Sequence, residues 1–221
     1  MSASTTDVID LLSGIEPDSY LQGIRDQRPQ ARENAQKSYQ ALFEPEFPGN
    51  VTALERYAVA TFVAGLHRQP TVTDFYASAL RRADRSGIAD AVDAEAARGA
   101  TRGPYGSYPK GPLTIENKDG LVYRVSDDAR ALLGHRLAAA FEHAHLLVFR
   151  PRDASPEALQ RLLDAGWSTT DIVTLSQLVS FLAFQIRVIA GLRTLAAAPD
   201  RKLADVGSKT LFTGALASGH I

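Results

Sequence analysis

The chain has 221 residues, of which 45% are apolar and 22% charged, and its formal net charge is −1. These totals are typical of a soluble globular protein of one large or two small domains, and they give no general attraction to nucleic acid or anionic membranes. The sequence contains no cysteine, which excludes disulfides, thiolate metal sites and thiol nucleophiles in this chain.

Apolar spacing and capping residues predict an all-α fold of consecutive helices. Residues 1–50 are predicted to hold N-terminal helices, residues 51–198 the main helical domain, and residues 199–221 a tail. The predicted helices are a short one capped by Thr6, then Pro29 to Phe43, Thr52 to about His67, Thr71 or Thr73 past Leu80, Ser86 to Arg98, Ser126 to Arg150, Ser155 to about Gly166, and Ser168 to Leu195.

A stretch rich in glycine and proline, residues 99–125, interrupts the main domain. Its first part predicts a loop, and its second part a small hairpin that turns at Asp119-Gly120, a pair suited to positive φ. The stretch is either a linker or a functional loop that packs over a site.

The last predicted helix is apolar around most of its circumference, so we expect it to be the buried centre of the fold. Its charge-free run, from Ile172 to Ile186, has 15 residues, whereas a membrane-spanning helix needs about 20. We therefore predict no membrane association. Arg187 follows among apolar neighbours, and a buried guanidinium requires an acidic partner or a row of carbonyls.

Two patterns that suggest nucleic-acid or metal binding are incomplete. The helix after Gly166-Trp167 begins without lysine or arginine, so we predict no nucleic-acid binding. Glu142 and His145 form the Glu-x-x-His unit of di-iron bundles, but the chain has no second copy. His143 and His145 lie about 200° apart around a helix and cannot share a metal from one face. We predict no metal and no cofactor, with a mononuclear metal site as the weaker alternative.

Glu55 allows two interpretations. As the third residue after Thr52 it can return a hydrogen bond to a helix cap, which is a purely structural role. Alternatively, Glu55 is a carboxylate that relays protons together with His67 and Asp74 if burial raises its pKa.

The segment LERYAVATFVAGLHRQPTVTDFYASAL resembles the core helix pair of the carboxymuconolactone decarboxylase and AhpD-like alkylhydroperoxidase superfamily. The segment LDAGWSTTDIVTLSQLVSFLAFQIRVIAGL resembles the helices that follow in its peroxidase-related branch, and GPYGSYPKGPL and HAHLLVFRPRDA resemble a bacterial subgroup. The resemblance covers about Thr52 to Leu195 and implies an AhpD-like helical fold that assembles into a dimer, trimer or hexamer.

In the peroxidases of that superfamily, eleven residues separate a glutamate from a Cys-x-x-Cys, and three residues separate the second cysteine from a histidine. Counted from Glu55, the matching positions are His67, Pro70 and Asp74. Both cysteines are replaced, and a thiol must attack the peroxide in that mechanism. Dithiol peroxidase activity is therefore excluded for this chain, while the decarboxylase type of acid-base chemistry is not.

The resemblance implies acid-base chemistry on a small organic acid or lactone. Glu55 is then the base or relay, His67 its partner, and Arg187 the group that neutralises Glu55, Asp74 or a substrate carboxylate. Further pocket residues are predicted to be Tyr105, His143, His145 and Arg150. The alternative is a superfamily member that has lost its chemistry and serves as an oligomeric binding or interaction protein. No signal-peptide pattern opens the sequence, so we expect a cytoplasmic location.

Overall fold

The computed structural model describes residues 6–84 and 86–198, and the regular elements in these ranges are helical. The predicted all-α fold is confirmed. The predicted tail, residues 199–221, lies outside the described residues. The α-helices are α1 (Val8–Ser13), α2 (Tyr20–Asp26), α3 (Pro29–Phe43), α4 (Ala53–Leu66), α5 (Pro70–Ala83), α6 (Ala89–Gly99), α7 (Asp127–Phe149), α8 (Pro156–Asp164) and α9 (Thr169–Ala197).

Hydroxyl caps set four of the eight predicted helix starts. Thr52, Ser126, Ser155 and Ser168 each accept a hydrogen bond from a backbone N–H of the first turn of α4, α7, α8 and α9, respectively. Helix α5 begins at Pro70, earlier than predicted, because the fixed φ of proline suits the first helical position.

The predicted hairpin at Asp119-Gly120 is wrong. Within residues 99–125 the structure has a single 3-10 turn, Pro112–Glu116, and an isolated antiparallel bridge between Gly106 and Lys118. The segment instead packs on the end of α7, where the Tyr105 N–H donates to the Phe149 carbonyl at 2.6 Å. Contacts with the rest of the fold, rather than cross-strand pairing, therefore hold this segment in place.

Helix α4 lies at the centre of the fold and packs against α5, α6, α7 and α9. Small residues allow these close approaches: a Cβ added at Gly65 would meet the Ala96 Cβ at 2.7 Å. The Phe62 ring stacks on Phe141 of α7 with centroids 4.3 Å apart. The expectation that the last helix forms the buried centre is therefore wrong, because α4 has that place.

Helix α9 is long and apolar enough to cross a membrane, but half of its most apolar stretch is buried inside the protein. A core helix has the same properties, so the pattern is weak support for a membrane span. One side of α9 packs on α1, α3, α4 and α7, while Val173, Phe184 and Leu195 remain exposed.

The hydrophobic core continues across the domain boundary predicted at residue 50. Ile9 and Phe43 belong to the same buried cluster as Phe62 and Leu182. The three-part division of the chain stays a prediction.

Candidate functional site

Glu55 is buried at the start of α4 and is fully engaged. Its Oε2 accepts a hydrogen bond from the Thr52 N–H at 2.8 Å, and its own N–H donates to Thr52 Oγ1 at 3.2 Å. Its Oε1 accepts from Arg136 Nε at 2.6 Å. The capping interpretation of Glu55 therefore describes its contacts, and the partner of its charge is Arg136 rather than Arg187.

Arg136 joins three helices through its guanidinium. Besides Glu55 on α4, it contacts Asp171 on α9 at 3.4 Å, donates to the Gly166 carbonyl and lies 4.1 Å from the centre of the Trp167 ring. The Trp167 indole N–H donates in return to the Arg136 carbonyl at 2.9 Å. We call Glu55, Arg136, Gly166, Trp167 and Asp171 the arginine staple.

Asp171 takes part in the cap at the start of α9, as Glu55 does at the start of α4. It is the third residue of its helix and exchanges hydrogen bonds with Ser168 at 3.1 and 3.2 Å. Burial would raise the pKa of Asp171, but the hydrogen bonds from Ser168 and Arg136 outweigh burial and lower it. The carboxylate stays ionised, and the arginine staple has the pattern of a structural ion cluster.

Arg187 is exposed, so the expectation that it lies buried is wrong. Its Nη1 donates to the Ala183 carbonyl at 2.7 Å, one turn earlier in its own helix. The prediction failed because α9 has a solvent-facing side, so an arginine with apolar neighbours in sequence can point away from the core.

His67 ends α4 and is half-buried, with an Nε2 that has no hydrogen-bond partner among the described residues. Burial, and next the charge of Arg187, lower its pKa. Glu55 lies 12 positions earlier on α4, which corresponds to about 18 Å along a helix. Asp74 is exposed on α5. The structure thus brings His67 and Arg187 near each other but does not bring all four predicted catalytic residues to one cavity.

Three of the four predicted pocket residues do line one cavity. Its volume is about 180 Å³, and it lies between α7, α8 and the segments around residues 122–124 and 150–153. We call it the α7–α8 pocket. Its lining residues are Val122, Tyr123, Arg124, Ala139, Glu142, His143, His145, Leu146, Arg150, Asp153, Ala158, Arg161 and Leu162.

His143 is the most unusual group in the α7–α8 pocket. Its residue is only 6% exposed, and neither ring nitrogen has a hydrogen-bond partner among the described residues. Burial, followed by the charge of Arg161, lowers its pKa, so the imidazole is neutral at pH 7. A neutral imidazole offers one donor and one acceptor, and no described residue uses either of them.

His145 has a structural environment although it borders the same cavity. Its ring stacks on Tyr123 at 4.7 Å, and its Nε2 lies 3.0 Å from the Gly99 carbonyl. A carbonyl only accepts, so Nε2 carries the proton. Burial is the main cause that lowers the pKa of His145 to about 4. Tyr105 does not line the pocket, and its hydroxyl lies 2.9 Å from Thr101 Oγ1.

Arginine residues dominate the charge around the pocket. Glu142 accepts from Arg124 at 2.7 Å and from Arg130 at 2.6 Å. Arg150 donates to Asp153 at 2.6 Å and to the Gly120 carbonyl at 2.8 Å. Both acids of the lining are therefore engaged by arginines of the fold, and the pocket is electropositive.

Sequence reasoning missed Arg136, Arg124 and Arg161. A single arginine on an amphipathic helix carries no local signal of its partners, because they come from distant segments. For Arg161 the spacing was informative: Ala158, Arg161 and Leu162 are three and four positions apart, so they share one face of α8.

The described residues contain no group of three or more histidine, aspartate or glutamate side chains arranged to hold a metal. The two members of the Glu-x-x-His unit have different partners: Glu142 accepts hydrogen bonds from arginines, and His145 lies against a backbone carbonyl. The prediction that the protein uses no metal and no cofactor stays a prediction.

No protein-family model matches the chain, and a search of curated proteins found no match. The resemblance to the carboxymuconolactone decarboxylase and AhpD-like superfamily therefore stays an expectation from the sequence.

Proposed function

We propose that the protein binds a small organic acid or lactone in the α7–α8 pocket and transfers a proton on it through His143. One observation carries this proposal: a buried imidazole whose two nitrogens have no partner among the described residues borders a cavity lined by three arginines. Buried polar groups in folded proteins nearly always have partners, so an unpartnered one facing a cavity suggests a ligand.

The electrostatics of the pocket suit this chemistry. A neutral imidazole can accept a proton from an acidic C–H or O–H of the ligand and return it, and positioned proton transfer contributes roughly 10²–10⁴-fold to rate. Arginine side chains stabilise the negative charge that develops on the ligand. The reaction needs neither thiol nor cofactor, consistent with a chain that has no cysteine.

The proposal includes the family expectation in a modified form. The protein is an AhpD-like helical protein of the cytoplasm whose site has moved from the thiol positions, represented by His67, Pro70 and Asp74, to the α7–α8 pocket. Glu55 then supports the fold through Arg136 and does not act on substrate. The all-α architecture and the four segments named above support this assignment.

A proton-exchange experiment tests the proposal. Small carboxylic acids and lactones with an acidic C–H are incubated in D₂O with the protein, and deuterium incorporation is followed by NMR. We expect wild-type protein to catalyse exchange for at least one compound, and His143→Leu to reduce the rate by about 100-fold or more.

The matched control is His67→Leu, which removes another histidine with an unpartnered buried nitrogen at a different place. This variant should leave the exchange rate within about threefold of wild type, because His67 does not line the pocket. Equal rates for wild type and His143→Leu, or loss of exchange in His67→Leu alone, would contradict the proposal.

A second candidate function is that of an oligomeric interaction protein, and a large apolar groove favours it. The groove has a volume of about 1010 Å³ and lies between α3, the loop at 44–51 and α9. Phe47 is 85% exposed at its edge, and Phe184 is 47% exposed. Its two charged lining residues are already satisfied, Arg56 by three backbone carbonyls and Asp171 by Arg136.

A second copy of this chain is the occupant that we propose for the groove. The same face offers a projecting aromatic ring and a cavity, as self-complementary interfaces require, and among the described residues its lining has no unpaired charge that would select a charged partner. Light scattering after size exclusion should show a dimer or larger, and Phe47→Ser with Phe184→Ser should shift it to monomer. Ile115→Ser, which changes an exposed residue outside the groove, should leave the mass unchanged.

A monomer at every concentration would contradict this second candidate. A truncated variant that ends at residue 198 tests for another occupant. If this variant forms oligomers while the full chain stays monomeric, the segment 199–221 rather than a second copy occupies the groove in the full chain.

A further inference from the structure

The charges around the α7–α8 pocket can be assigned one by one, and a single cation is left over. Arg124 and Arg130 bind Glu142, and Arg150 binds Asp153. The fifth charged group of the lining, Arg161 on α8, forms no ion pair with any described residue, although its charge reaches the Glu157 carboxyl one turn earlier on the same helix. One positive charge at the cavity is therefore available to a ligand.

Arg161 is placed where it can act together with His143. Ala158 and Leu162, on the same face of α8, are buried against α7 and form the apolar floor of the cavity. Arg161 itself is exposed, so its guanidinium lies toward the open side while His143 lies on the buried side. The charge of Arg161 reaches His143, where it adds to burial in lowering the imidazole pKa.

The size of the cavity limits the ligand. A volume of about 180 Å³ slightly exceeds the ~150 Å³ of an engineered cavity that holds benzene. The ligand therefore has about six to ten non-hydrogen atoms. Its apolar part faces Ala158 and Leu162, and its charged end faces the solvent side.

We infer that Arg161 recognises the carboxylate of a compact monocarboxylic acid whose apolar body fills the floor of the α7–α8 pocket. An arginine fork matches the two oxygens of one carboxylate, and the described lining of the pocket has no second uncommitted cation for a dianion. This inference rests on the proposed function, because it names the ligand class of the same site.

Matched ligands test the inference. Benzoate, benzamide, phthalate and inorganic phosphate are titrated into the protein by calorimetry at low salt, while the His143 ring signals are followed by NMR. We expect benzoate to bind at least 10-fold more tightly than benzamide and phthalate, phosphate to give no saturable binding, and the His143 signals to shift with benzoate.

Substitutions assign the effect to one residue. Arg161→Gln keeps much of the side-chain length without the charge and should weaken benzoate binding by about 10- to 100-fold while leaving benzamide unchanged. Arg187→Gln changes an exposed arginine outside the pocket and should bind benzoate like wild type. Since Arg161 is exposed, circular dichroism should show both variants folded.

The outcomes separate the two proposals. If ligands shift the His143 signals but benzamide, phthalate or phosphate binds as well as benzoate, or Arg161→Gln binds benzoate normally, the inference about Arg161 is overturned and the proposed site stands. If no ligand of the panel binds and no carboxylic acid or lactone undergoes exchange, both are overturned.

Discussion

Arg136 and His143 lie seven residues apart on α7, about 10 Å along the helix and nearly on the same face, yet their surroundings are opposite. Arg136 contacts two carboxylates, a carbonyl and an indole ring. His143 is more deeply buried and has no hydrogen-bond partner among the described residues. The arginine staple has every charge compensated, whereas the α7–α8 pocket has donors and acceptors left open.

The difference separates a cluster with the contacts of a structural ion cluster from one that has polar groups left without a partner among the described residues. Compensated buried charges hold elements together, and removing one partner leaves the others without compensation. An uncompensated buried group costs stability, and one that borders a cavity is a candidate for contact with a ligand. The predictions below test this division, from the largest expected effect to the smallest.

Replacing Arg136 by methionine should cause the largest loss. Glu55 and Asp171 would remain buried without their cation, at a cost of about 3–5 kcal/mol in the free energy of unfolding. For a chain of this length that corresponds to a decrease in Tm of roughly 6–20 °C, measurable by circular dichroism. A decrease below about 2 °C would show that the arginine staple does not hold the fold.

Acid should destabilise the protein through His145. In the unfolded chain this imidazole takes up a proton near its ordinary pKa of 6.5, whereas in the folded protein it does so only near 4. The unfolded state therefore binds more protons between these values, and stability falls as the pH decreases from 6.5 to 4, by roughly 3 kcal/mol for this residue. His145→Gln keeps a donor for the Gly99 carbonyl but does not titrate, so its Tm should depend less on pH over that range. An unchanged slope would mean that other groups cause the acid sensitivity.

Replacing His143 by leucine should change stability little or raise it. The substitution removes an unpartnered buried polar group, so we expect the free energy of unfolding to stay within about 1 kcal/mol of wild type. Urea unfolding at pH 7 measures this. A loss as large as that of Arg136→Met would break the comparison, because it would show that His143 also has a structural partner.

Arg187→Met should have the smallest effect, within about 0.5 kcal/mol, since the side chain is exposed and bonded only to its own helix. It serves as the control for Arg136→Met, because each variant removes one arginine. A large loss here would restore the prediction that Arg187 neutralises a buried acid.

The sequence predicted most of the helices because local signals determine them. Hydroxyl caps mark the starts of α4, α7, α8 and α9, and Pro29 marks that of α3. The Asp119-Gly120 hairpin failed because a turn-prone pair does not form strands by itself, and residues 99–125 are held by contacts with distant residues.

Much less of the candidate site was predictable. His143, His145 and Arg150 were found because unusual polar residues cluster near the end of α7. The burial of Arg187 was predicted wrongly, and Arg136 was missed. Both depend on which side of a helix its neighbours cover, and that follows from the packing of α4, α7 and α9 rather than from residue spacing.

Helix α7 is interrupted at Gly134, whose φ of 76° and ψ of 164° are not helical. The regular segment that carries both Arg136 and His143 therefore begins at about His135, independently of the turn before it. An extra residue within residues 127–133 could be accommodated at this break. An extra residue between Arg136 and His143 would rotate one side chain by about 100° around the helix relative to the other. Homologous chains should therefore vary in length before the break and keep a fixed seven-residue interval between these two positions after it.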